Sequence, residues 1–336
     1  MIRAIGILLL ALLVLAGGSA WWISDRLATP HRGFSGEEVF VDLPAGLSVS
    51  GMADRLADAG VVADPWTFRL ASRIAGADRR LQAGEYRFAA PATPAEVVDR
   101  IARGDVFTVP LTFREGLTIV EMAAVFEATG LGAADEFLAA AQRTDLVRDV
   151  DPDAVDLEGY LFPSTYTLSR RDSANRLVEV MVASFERAFD AELRALAAER
   201  GLSARDVVTL ASVVERETAV PEERPVVAAV FLNRLRIGMP LQTDPTVIYA
   251  MMRSGRWNGN ITRNDLQMDH PYNTYRMRGL PPGPIAAPGR ASIEAVLRPA
   301  DVPYLYFVSR NDGTHVFAST LAEHNRNVST WQRRGR

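Results

Sequence analysis

Residues 203–251 read SARDVVTLASVVERETAVPEERPVVAAVFLNRLRIGMPLQTDPTVIYAM, and the rest of the chain is organised around them. Ser203 is a good N-cap and Asp206, three residues on, completes an acidic variant of the capping box, so a helix starts near Ala204. Val207, Leu210, Ala211 and Val214 follow the i, i+3, i+4, i+7 pattern, which packs one face of that helix against protein. Two carboxylates follow, Glu215 and Glu217. At about 100° per residue, Glu217 lies roughly 60° from the centre of the apolar stripe and Glu215 roughly 100° from it. Glu217 is expected to be the more enclosed of the two, and Thr218 lies closer still to the stripe.

A carboxylate in the last helical turn faces unfavourable carbonyl dipoles, and partial burial also disfavours its charged form. Both effects raise its pKa, and an acid held protonated near neutral pH is what general acid catalysis needs. The competing reading is a solvated helix-end Glu paired with Arg216 or Arg224. After Glu217 the Ala219 to Arg224 corner leads into a second helix through Arg236, closed by Gly238. Asp244 is the expected N-cap of a third helix, with Pro245 at its first position. Asp244 is also the only other acid beside this motif, so a two-carboxylate mechanism would have to recruit it or Asp265.

Gln242, Thr243, Tyr272, Asn273, Thr274 and Tyr275 fall in turns or at element ends, where side chains can face a cleft. With Thr218 and Asp244 they form the candidate substrate-binding set, since amides and phenols suit a sugar; each is as readily structural. Gly279 to Gly289, with four prolines, reads as a rigid loop along the cleft wall. Tyr304 to Val308 and Thr314 to Ala318 form a hairpin through an Asn311-Asp312-Gly313 turn, and a last amphipathic helix starts near Thr320; both read as structural. Upstream, Glu158 to Tyr166 is an aromatic stretch with Tyr160 and Tyr166 as core or cleft residues. Asn175 to Arg200 reads as one long helix.

The N-terminal third begins with an uncharged apolar run, Ala4 to Ile23, long enough to span a bilayer and ending in Trp21-Trp22. A retained anchor is the expectation, with a cleaved signal peptide as the alternative. Arg3 on one side against Arg26 and Arg32 on the other leaves orientation open. Pro30 to Gly36 is a linker. A strand from Val39, a Gly46 turn and a helix carrying Val49, Met52, Ala53 and Leu56 follow, ending at Gly60. The pattern recurs seventy positions on: Gly46-Leu47, Met52-Ala53 and Gly60 match Gly116-Leu117, Met122-Ala123 and Gly130. Each copy needs the helix and strand after it to bury its apolar face. For the first these are Pro65 to Ile74 and Gly84 to Phe88, and a helix Thr93 to Arg103 with Gly104 as cap closes the module. Trp66, Tyr86 and Phe88 fit either a sugar platform or core.

The chain has 336 residues, 48% hydrophobic, with a net charge of −4, no Cys, no Lys and four His. That length holds two or three modest domains. No basic patch, phosphate loop or metal-ligand spacing stands out, so no nucleic-acid partner, no cofactor and no metal is expected. His31, His270, His315 and His324 are scattered and read as ordinary surface or packing residues.

Leu210 to Ala219, Val230 to Gly238, Leu241 to Tyr249, Tyr272 to Tyr275, Gly279 to Gly283 and Tyr304 to Val308 together resemble the endolytic murein transglycosylases of the MltG (YceG-like) family. The blocks run in family order from near residue 40 to residue 330. The resemblance implies an α+β chain with a transmembrane anchor and linker over 1–36, a LysM-like module over 37–107 and a mixed α+β catalytic region over 108–336, the second strand–helix copy lying at about 108–145. It implies a lytic transglycosylase that cleaves peptidoglycan glycan strands between N-acetylmuramic acid and N-acetylglucosamine and leaves 1,6-anhydromuramyl ends. It also implies inner-membrane anchoring through Ala4 to Ile23, a periplasmic catalytic domain acting on nascent strands, and a peptidoglycan synthase as partner. Glu217 followed by Thr218 resembles the Glu-Ser pair of other lytic transglycosylases, which favours Glu217 over Glu215 as the catalytic acid. The alternatives are a muramidase-like hydrolase with a second carboxylate and a non-catalytic glycan-binding scaffold of the cell-wall machinery.

Overall fold

The structure, a computed structural model, describes residues 2–333, with the side chains of residues 2–9, 11 and 333 outside the description. It is a mixed α+β fold of two compact units, Met1–Val109 with Thr167–Arg171, and Pro110–Tyr166 with Asp172–Arg336.

The first unit opens with helix α1 (Ile2–Ala28). Among the described residues no helix is long and apolar enough to cross a membrane. The expected span Ala4 to Ile23 lies partly outside them, because side chains 4–9 and 11 are not described. Strand β1 (Val39–Leu43) leads through Gly46, at φ +81°, into α2 (Val49–Asp58), whose N-cap Ser48 accepts from the Gly51 N–H. Gly60 ends α2 at φ +72° and must be glycine, since a Cβ there would meet the Gly33 carbonyl carbon at 2.7 Å. Helix α3 (Pro65–Ile74) is capped by Asp64; strand β2 (Gly84–Phe88) pairs antiparallel with β1; α4 (Pro94–Arg103) has a full Thr93–Glu96 capping box and Gly104 in the left-handed conformation. The core gathers Leu43, Leu56, Phe68, Tyr86 and Ile101, all essentially unexposed, each worth about 1.5–3 kcal/mol of burial. Tyr86 and Phe88 are therefore core, whereas Trp66 remains 39% exposed.

Strand β3 (Val109–Thr112) pairs with β4 (Thr165–Leu168). In the second unit Gly116 (φ +78°), α5 (Ile119–Ala128, capped by Thr118) and Gly130 (φ +71°) repeat the local geometry of Gly46, α2 and Gly60. Helix α6 (Ala134–Ala140) follows. Glu158 to Tyr166 is turn until β4 begins, and Tyr160 and Tyr166 are core, their hydroxyls donating to Asp151 and to the Phe162 carbonyl. The long helix expected over Asn175 to Arg200 is two: α7 (Ala174–Ala188) ends at Phe189, and Asp190 starts α8 (Ala191–Glu199) by accepting from the Leu193 N–H at 3.1 Å.

Helix α9 (Ala204–Glu217) starts at the Ser203–Asp206 box. Every residue from Val207 to Val214 is buried, so α9 runs through the core and is covered on all sides, where a single packed stripe was expected. Helices α10 (Arg224–Arg236) and α11 (Asp244–Arg253) follow, then α12 (Arg290–Leu297), the hairpin β5 (Tyr306–Ser309) and β6 (His315–Ala318), and α13 (Leu321–Val328). Helix α12 packs on both α9 and α10.

Candidate active site

Glu217 is the last residue of α9, where the chain leaves the helix with Thr218 in an extended conformation. The residue is half-buried, and its Oε2 accepts a hydrogen bond from Thr243 Oγ1 at 2.5 Å. Desolvation by burial raises its carboxyl above the ordinary carboxylate range, and the charge of Asp244 adds to the rise. The Thr243 hydrogen bond, His315 and Arg234 act in the opposite direction. The acid thus keeps some open surface while protein rather than water surrounds its charge.

Thr243 is held for this contact from both sides. Its N–H donates to Thr274 Oγ1 at 3.2 Å, and it serves as the residue preceding α11, so Asp244 stands at the first helical position and is not the N-cap. The offset follows from Gln242, which adopts a left-handed φ of +49° and turns the chain one residue earlier than the Asp-Pro signal suggests. Asp244 is exposed; its Oδ1 accepts from the Tyr275 hydroxyl at 2.6 Å, and the start of α11 favours its negative charge. Asp244 and half-buried Tyr275 stand open near Glu217, and Gln242, one residue before Thr243, is exposed.

The other expected sugar ligands have different placements. Asn273 is fully buried, its amide donating to the Leu266 and Met268 carbonyls and its Oδ1 accepting from the Tyr275 N–H. Thr274 is buried against Thr243 and Thr246. Thr218 is buried, with its hydroxyl donating to Glu223. These three build the frame of the site and present no surface to a ligand. The Tyr272 ring lies tilted against Tyr249 and His270, and among the described residues it shares no hydrogen bond with Glu217's partners. Asp265 accepts from the Thr262 N–H at 2.9 Å and the Thr262 hydroxyl at 2.6 Å, bonds within its own turn.

Glu215 is enclosed as well. Its side chain is 5% exposed, and both oxygens are taken, one by Arg224 at 3.1 Å and the other by the Gly289 N–H at 3.0 Å. The Gly279 to Gly289 loop lies against α9, with the Ile285 N–H donating to Ser212 Oγ. Arg216 does not pair with either α9 carboxylate and donates to the Gly116 carbonyl at 2.9 Å.

Two further groups bear on Glu217 and carry no local signal in the sequence. Arg234 is 7% exposed; its guanidinium donates to the Leu305 and Leu241 carbonyls, both at 2.6 Å. His315, on the hairpin read as structural, puts Nδ1 2.6 Å from Glu223 Oε2. Only the folding of β6 beside the α9–α10 corner brings that ring near Glu217. Among the described residues no group of three or more His, Asp or Glu is placed to hold a metal.

Fold and site together define a mixed α+β protein with enclosed acids at the end of a core helix. The YceG-like family matches residues 41–330, and the chain belongs to that family. It is 31% identical over 328 residues to an endolytic murein transglycosylase of Bacillus subtilis, covering 92% of this chain and 89% of that one. A Streptococcus pneumoniae protein of the same name is 34% identical over 177 residues, 52% of this chain and 32% of that one. The crystal structure of a YceG-like protein from Listeria monocytogenes is 32% identical and superposes with a TM-score of 0.59, covering 87% of this chain and 99% of that one.

Proposed function

We propose that this chain is an endolytic murein transglycosylase acting on peptidoglycan, with Glu217 as its single acid and base. The names of its relatives support the reaction class. The observation that carries the assignment is Glu217 itself, desolvated, bonded to a neutral hydroxyl and flanked by open polar side chains.

In the first half of the reaction protonated Glu217 gives its proton to the oxygen bridging N-acetylmuramic acid and N-acetylglucosamine. The C1–O bond breaks with its electron pair going to that oxygen. In the second half the muramyl C6 hydroxyl attacks C1 of its own ring, and its proton passes to the Glu217 carboxylate. Atoms balance without water, the acid is restored, and the product is a 1,6-anhydro end. Gln242, Asp244 and Tyr275 orient the sugars.

The apolar run Ala4 to Ile23 anchors the chain in the inner membrane and places residues 108–336, as the catalytic region, beside nascent strands in the periplasm, where a peptidoglycan synthase is the partner. Residues 37–107 form a LysM-like module. Mass spectrometry of glycan strands digested by the purified chain tests the reaction: fragments should carry 1,6-anhydromuramyl ends. Reducing ends would instead make it a muramidase-like hydrolase with Asp244 as base, and binding without fragments would make it a scaffold.

A further inference from the structure

We propose that Thr246 and Thr274 are positioning residues for the reaction at Glu217: a closed ring of hydrogen bonds through them fixes Thr243, whose hydroxyl then donates to one oxygen of the acid and leaves the other to carry the transferable proton. The inference rests on the reading of Glu217 as the single acid and base. A lone carboxyl that gives a proton and takes one back works best when the same oxygen does both. Nothing in the carboxyl itself distinguishes its two oxygens, so its surroundings must.

Each bond in the ring has a fixed direction. The Thr246 hydroxyl donates to the Thr243 carbonyl at 2.8 Å, which commits its only proton. In the 2.8 Å contact between the Thr246 and Thr274 hydroxyls, Thr274 is therefore the donor. The Thr243 N–H in turn donates to Thr274 Oγ1 at 3.2 Å and closes the ring. A threonine bonding back three residues is ordinary at a helix start; the closure through Thr274, 31 positions from Thr243, makes a clamp of it. A further bond, from the Gln242 N–H to the Thr274 carbonyl at 3.1 Å, braces the left-handed residue before Thr243. Thr246 is unexposed and Thr274 is 1% exposed, so neither can touch a glycan.

Thr243 is 2% exposed, and Glu217 is the only acceptor its hydroxyl meets among the described residues. If the carboxyl donated instead, that buried hydroxyl proton would lack a partner, which costs about 1–3 kcal/mol. The 2.5 Å bond therefore runs from Thr243 to Oε2, and the Glu217 proton resides on Oε1. Oε1 bonds no described residue and is not sealed from solvent. It is the oxygen that can meet the bridging oxygen first and the C6 hydroxyl afterwards. Without the ring the Thr243 hydroxyl loses its aim, the proton spreads over both oxygens, and fewer bound strands are in reacting geometry. Because the ring is buried, substrate binding is untouched and the loss falls on kcat, not KM.

The test uses the full chain in steady-state assays on glycan strands. Thr246→Val and Thr274→Val keep side-chain shape and break the ring at different points; each should lower kcat about 10-fold with KM within about twofold. Thr246→Ser keeps the hydroxyl and should recover most of that loss. In a Thr243→Val chain, where there is no hydroxyl to aim, adding Thr274→Val should slow turnover by less than about twofold more. An unchanged kcat in both valine variants overturns the inference, as does a loss that follows KM or melting temperature, or one that is undiminished in the Thr243→Val chain. Glu217→Gln, measured beside them, keeps the two claims apart. Near-normal turnover there ends the reading of Glu217 and this inference with it, whereas an inactive Glu217→Gln beside unaffected valine variants ends this inference alone.

Discussion

Two carboxylates leave the same end of α9 and meet opposite surroundings. On the Glu215 side both oxygens are consumed, by the Arg224 guanidinium and the Gly289 N–H, and the residue joins α9 to the α10 start and to the Gly279 to Gly289 loop. On the Glu217 side Oε2 has one neutral donor, Thr243, while Asp244 repels the charged form. Burial alone does not separate them, since both are enclosed. A buried carboxylate with a cation and an amide is a structural tie. A buried carboxylate with a hydroxyl and a neighbouring negative charge is a proton donor.

The sharpest way to break this contrast is to neutralise each side separately. Glu217→Gln keeps shape and removes the titrating proton, so glycan cleavage should fall by roughly 10²-fold or more with the melting temperature nearly unchanged. Near-normal turnover in that variant would end the assignment. Glu158 sharpens the point that a raised pKa is not sufficient. It is 5% exposed, bonded by the Ile119 N–H and the Tyr249 hydroxyl, and burial pushes it up to about 8. Its folded pKa lies above the unfolded value, so its stabilising contribution is complete below about pH 4.5 and is lost as pH rises through about 8. Glu158→Gln should match wild type in thermal unfolding near pH 4 and exceed it by roughly 3–5 kcal/mol above pH 9. Equal stability at both pH values would show that Glu158 is not held neutral.

Glu215→Gln tests the structural side: denaturant unfolding should show a loss of about 1–3 kcal/mol, while the folded protein keeps most of its cleavage rate. A variant as stable as wild type but inactive would exchange the roles of the two residues. The smallest effect is expected at Gln242, whose left-handed backbone is strained for a residue with a Cβ. Gln242→Gly should raise stability by about 1 kcal/mol or less and increase KM several-fold, measured by unfolding and steady-state assays.

What was legible in the sequence was local. The Ser203–Asp206 box, the helix starts near Thr93 and Thr320, the Gly238 stop and the Asn311-Asp312-Gly313 hairpin all follow from residues within a few positions of one another. The break at Asp190 was hidden because apolar spacing continues across it, and only its cap contact with Leu193 reveals it. Helical angle pointed toward Glu217, yet α9 is covered on all sides, so angle could not foresee that Glu215 would be tied to Arg224 and Gly289. The Thr243 contact and the Glu223–His315 pair join segments distant in sequence, and no spacing rule announces them. The amide of Asn273 looked like a sugar ligand and is spent on the carbonyls of its own loop.

The central claim, that Glu217 reacts from a protonated state set by its neighbours, is tested most directly by the pH profile of kcat/KM in wild type, Thr243→Val and Asp244→Asn. The first step needs the acid form, so activity should fall as pH rises through the raised Glu217 pKa. Removing the Thr243 hydroxyl withdraws a bond that favours the ionised form and should move this alkaline limb to higher pH. Removing the Asp244 charge withdraws a repulsion and should move it to lower pH. Opposite displacements are the predicted result; a limb that stays in place in both variants, or moves the same way in both, contradicts the account.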